Sequence, residues 1–133
     1  MTTDLVMPRM MHFPSLEIKS DKIKIVKLDG EKLAQDFHKY CAKVFGFPSF
    51  YGNNMNAWID CIDDGIDNEN HEMVTKNYVL PGQSIVFYIE NYSALKKSKE
   101  ILEDLTECVS FINKRRILRR HVHVPIIYLV FDE

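Results

Sequence analysis

The chain has 133 residues, 46% of them apolar and 27% charged, which fits one domain with one hydrophobic core. Its 17 basic and 19 acidic residues leave a net charge of −2, which excludes a global attraction to nucleic acid and makes charge placement more informative than the total. No stretch approaches the ~20 apolar residues of a membrane span. The opening segment MTTDLVMPRMMHF holds no apolar run long enough for a signal peptide. The expectation is a soluble cytosolic protein with Cys41, Cys61 and Cys108 as reduced thiols, odd in number and without metal spacing.

Residues 1–21 read as an irregular arm or extension, because Pro8 and Pro14 break any helix there, and residues 22–133 read as the domain proper. Ile23, Ile25, Val26 and Leu28 form a short β-branched run that ends at the turn Asp29-Gly30. The stretch EKLAQDFHKYCAKVFG then has Leu33, Phe37, Cys41 and Val44 at helical spacing, with Gly46 as its stop. After the turn Phe50–Asn54, Asn53 or Asn54 can cap a second helix. In that helix Met55, Trp58, Ile59 and Ile62 sit at i, i+3, i+4 and i+7 and make one apolar stripe, while Asn56 and Asp60 share another face one turn apart.

Residues 65–83 read as a partly ordered loop, closed by Pro81-Gly82. SIVFYIE reads as a strand buried on both faces, and a long helix from about Ser93 to Arg120 has Leu105, Val109 and Ile112 as its buried stripe. IIYLVF is the last strand. Continuous apolar strands alternating with helices predict an α/β fold with a small three-stranded parallel sheet packed with helices.

Four constellations invite function. No Lys or Arg occurs between Lys43 and Lys76, a gap that holds Asp60, Asp63, Asp64, Asp67, Glu69 and Glu72. Most charge runs are only solvated, yet carboxylates late in a helix oppose its macrodipole. FPSFYGNNMNAWIDC places aromatics beside amides and an Asp, the mix found at protein-binding hot spots. Phe47 and Trp58 read as core; for Tyr51, core and contact are equally supported. The third constellation is basic: Lys114, Arg115, Arg116, Arg119 and Arg120 crowd the end of the long helix. The plain reading is cations serving the helix terminus; the functional one is a patch for weak, salt-sensitive RNA binding, although no RNA-reading motif accompanies it. Last, His121 and His123 alternate without a third metal ligand at recognisable spacing, so neither a metal nor another cofactor is implied.

Residues Tyr51 to Ile62, YGNNMNAWIDCI, resemble the signature of the barstar family: Tyr-Gly-x-Asn-hydrophobic-Asp/Asn-Ala, an aromatic, then Asp-Cys-hydrophobic. Pro48 also stands in the family's place, and the order of elements over roughly 22–131 agrees. The resemblance implies a three-stranded parallel sheet packed with helices. It implies a non-enzymatic protein that plugs the basic cleft of a ribonuclease by presenting carboxylates where phosphates bind. Asp60 stands where the family has its most important inhibitory Asp. Asn56 stands in place of a second Asp, Phe50 in place of a contacting Tyr, and Ile59 in place of an interface Trp; Asn54 matches an Asn at the contact's edge. The family's late-helix Glu has no clear counterpart; Asn113 and Lys114 are nearest.

The partner-binding set is then Phe50, Tyr51, Asn54, Asn56, Ile59, Asp60 and Asp63. The expected partner is a ribonuclease or other basic-clefted toxin, different from the family's best-known target; no membrane, small-molecule substrate or nucleic acid is expected. The alternative is an interaction module of the same fold with a non-nuclease partner, or one that binds RNA weakly through the basic helix end.

Overall fold

The computed structural model describes residues 22–80, 83–119 and 126–133. The arm at 1–21, Pro81-Gly82, Arg120 and the His121/His123 pair lie outside them. Three strands, β1 (Ile23–Asp29), β2 (Ser84–Glu90) and β3 (Ile127–Phe131), form one parallel sheet in the order β1-β2-β3, as expected. Val26 stands beside Phe87, and Phe87 beside Leu129.

Parallel neighbours require crossovers, and right-handed crossovers between sequential strands put every helix on one face. The burial pattern agrees for the edge strand β1, while Val86, on the other face of central β2, is buried outside the helical core. Val26, Leu28, Ile85, Phe87, Ile89, Ile127 and Leu129 join the helical core, whereas Ile25, from the other face of β1, is exposed. Each large apolar side chain fully buried in this way stabilises the fold by roughly 1.5–3 kcal/mol.

Two expected helices are each split. EKLAQDFHKYCAKVFG makes α1 (Gly30–Gln35) and α2 (Phe37–Phe45), separated by Asp36 in a non-helical conformation. Asp36 leaves the helix because its carboxylate accepts the Lys39 amide at 3.2 Å and so caps α2. Asp29 caps α1 in the same way, accepting from the Glu31 amide. Gly46 ends α2 in the left-handed region, φ 63°, where a Cβ would also run into the Thr75 hydroxyl. Past the sheet's central strand the single predicted helix becomes α4 (Tyr92–Lys96) and α5 (Lys99–Arg119).

Between the two split helices, after α2 and before β2, lies α3 (Met55–Gly65). The segment that follows is packed rather than loose. Val74 and Val79 are buried, the Val79 amide donates to the Ile66 carbonyl at 2.8 Å, and the Thr75 and Lys76 amides both donate to the Phe45 carbonyl. At Gly65 a Cβ would sit 2.7 Å from that of Met73, so α3 closes tightly on this segment and its rotational setting is constrained.

Candidate protein-binding site

The site is built on α3 and the turn that leads into it. Asn54 is the N-cap: its Oδ1 accepts the Ala57 amide at 2.8 Å, and its Nδ2 donates to the Gly52 carbonyl. Asn53 supplies the left-handed residue, φ 55°, that turns the chain into the helix. The Tyr51 amide donates to the Pro48 carbonyl, and the Tyr51 hydroxyl lies 2.6 Å from His38 Nδ1. Burial holds the His38 imidazole below its ordinary pKa, against an upward pull from Asp36 and Asp104. Burial also pushes the Tyr51 phenol well above its usual range.

Tyr51 is therefore an anchor of the turn, packed 4.6 Å from the Phe47 ring, and not the surface contact expected of it. Its neighbour Phe50 takes the opposite role and is 74% exposed.

Within α3 the apolar stripe faces inward as its spacing predicts. Trp58 and Ile62 are fully buried, with Trp58 packed against Phe37 and Phe87. Met55 and Ile59 sit half-buried at the margin of the core. Asn56 and Asp60 face solvent. Among the described residues Asp60 has no ion pair. Cys61 is buried beside it; burial first, then the negative fields of Asp60 and Asp64, push its thiol up to about 11. Cys41, fully enclosed beneath the helix, is pushed up to about 12 by burial. All three cysteines are free thiols.

Asp63 is a correction. It was expected among the partner contacts, and it is completely buried. Arg115 donates from Nε (2.9 Å) and Nη2 (2.5 Å) to Asp63 Oδ2. Arg116, also completely buried, donates from Nε to Asp63 Oδ1 at 3.0 Å and from Nη2 to the Asp63 carbonyl. The same guanidinium reaches both oxygens of Asp67 at 3.2 Å. The physical reason is helix geometry combined with packing. At 3.6 residues per turn, Asp63 lies about 60° around the helix from Asp60, on the side of Ile59. That flank is where α5 packs against α3.

The basic cluster is corrected with it. Arg115 and Arg116 do not merely sit in the field at the end of their own helix; they neutralise carboxylates at the end of α3, and Arg116 also donates to the Asp63 carbonyl there. This accounts for acidic residues late in α3, where no basic residue of its own last turn is present. Lys114 stays exposed. Asn113, near the place of the family's late-helix Glu, is occupied elsewhere: its amide donates to the Ile127 carbonyl and accepts from the Ile127 amide, both at 2.9 Å.

The sequence reading missed His38; it named Arg115 and Arg116 only as a basic cluster, since no local pattern pairs them with Asp63, and it counted Asp64 among the carboxylates without placing it in the contact set. Asp64 is exposed and one turn beyond Asp60, so the i, i+4 spacing contained the signal. Among the described residues no group of three His, Cys, Asp or Glu is disposed to hold a metal ion, and no helix is long and apolar enough to cross a membrane.

A three-stranded parallel sheet covered by helices, with a capped helix turning a polar and anionic face outward, defines a small α/β domain of the barstar type. The family model described as Barstar (barnase inhibitor) matches residues 23–123, and the chain belongs to that family. The family is one of inhibitors rather than enzymes. No curated protein matches the sequence.

Proposed function

We propose that this chain is an inhibitor that binds a ribonuclease or related toxin and blocks its basic active site with the outer face of α3. The observation that carries the reading is Asp60: exposed, free of ion pairs among the described residues, and held on a capped helix in a barstar-family chain. A carboxylate in that state loses no internal partner when it enters a cationic cleft, and its field steers the approach. Asn56 adds a hydrogen-bonding group on the same face and Asn54 another at the N-terminal edge of the helix, and Phe50 and the exposed part of Ile59 add apolar contact. Domain 22–133 carries this role. The protein acts inside the cell that makes the enzyme, as an immunity protein.

The rival reading, a module that binds RNA through its basic helix end, has less support, because Arg115 and Arg116 are committed to Asp63 and Asp67. The test is inhibition of a panel of small secreted ribonucleases with basic clefts, barnase among them, by the full chain and by Asp60→Arg. Inhibition that the substitution removes is the expected result. Equal activity of Asp60→Arg, or no inhibition by the parent chain, overturns the proposal.

A further inference from the structure

Four carboxylates occupy the last two turns of α3 and the residues just beyond: Asp60, Asp63, Asp64 and Asp67. The arginine clamp divides them. Asp63 and Asp67 face inward to Arg115 and Arg116, while Asp60 and Asp64 face solvent and have no ion pair among the described residues. The close fit of Gly65 against Met73 and Val74 restricts rotation of the helix, so this division belongs to the fold and not to a side-chain rotamer.

We propose that Asp64 is the second anion of the recognition face, in the role the sequence had suggested for Asp63. This rests on the reading of α3 as the inhibitory face and deepens it. Asn56, Asp60 and Asp64 follow one another at i, i+4 and i+8, a single outward stripe with an amide first and two carboxylates after it. The two carboxylates lie about 6 Å apart along the helix axis. They act together on their surroundings: after burial, both raise the Cys61 thiol between them. The arginines cancel much of the inward charge, so the unbalanced field of α3 leaves from the side that bears this pair. The pair selects a partner whose cleft offers two cationic groups at matching spacing, displaced toward the C-terminal end of α3 relative to Asn56.

The test uses the full chain with Asp60→Asn, Asp64→Asn and Asp64→Glu, and with the same panel of ribonucleases, barnase included. Stopped-flow association across ionic strengths, dissociation rates and unfolding midpoints are measured for each. Asp64→Asn should weaken binding roughly 10-fold or more, the range for hydrogen bonds to charged groups. It should also flatten the salt dependence of the association rate. Its unfolding midpoint should hold or rise, because a carboxylate late in a helix is unfavourable to the helix itself. Asp64→Glu keeps the charge and should keep the salt dependence. If Asp64→Asn matches the parent in affinity and salt dependence while Asp60→Asn binds weakly, the Asp64 assignment falls and the reading of α3 stands. If both Asn variants match the parent, or the parent binds none of the enzymes, both fall.

Discussion

Arg116 Nε donates to Asp63 Oδ1 at 3.0 Å with neither side chain exposed to solvent, which joins α5 to α3 through a buried ion pair. Each ion costs several kcal/mol to desolvate, so such a pair adds little net stability over an apolar replacement, but removing one member leaves the other charge stranded. Arg116→Met and Asp63→Leu should each lower the free energy of unfolding by about 3–5 kcal/mol. The double change Asp63→Leu with Arg116→Met should cost far less than the two single losses together. Urea unfolding followed by Trp58 fluorescence measures all three. Additive losses would mean that the two side chains are not energetically coupled.

Asn54 serves the fold before it serves a partner. Its Oδ1 satisfies the Ala57 amide at the start of α3, so Asn54→Ala should destabilise the protein by about 1 kcal/mol. Asn54→Asp keeps the acceptor and adds a charge that the helix N-terminus favours, so it should be neutral or stabilising. It loses only the donor to the Gly52 carbonyl. Thermal unfolding of the two variants decides this; equal destabilisation by both would show that the cap is not what matters at this position.

His38 gives stability a defined pH dependence. Burial depresses its folded-state pKa below the ordinary 6.5, so the unfolded chain takes up the proton first. The native state is fully favoured above pH 6.5 and loses this contribution as pH falls from there toward the depressed folded value. Unfolding midpoints should therefore decline on acidification through that window, and His38→Gln should flatten the decline. NMR titration of the His38 ring should give a value below 6.5; a value at or above it would reverse the sign. Because His38 faces the Tyr51 hydroxyl, the same substitution should loosen the turn that carries Phe50. Faster amide hydrogen exchange at 49–53 would report this.

Much of the architecture was legible because backbone geometry imposes its period locally. Apolar runs marked β1, β2 and β3, and the crossover requirement made them parallel neighbours. The spacing of Trp58 and Ile62 turned them inward, and the same spacing turned Asn56 and Asp60 outward. Asp36 could have been read as a cap, since its side chain competes with the helix it follows. Three adjacent features were decided only by tertiary packing. Tyr51 became an anchor because His38, 13 residues earlier, meets its hydroxyl. Asp63 became structural because Arg115 and Arg116, 52 and 53 residues away, meet it from α5. Asp64 kept its charge toward solvent because those arginines approach from the opposite flank. Periodicity states which side of a helix a residue occupies; what waits on that side is set by contacts between elements far apart in the chain, and at the boundary of a stripe those contacts determine whether a carboxylate is buried in an ion pair or left facing solvent.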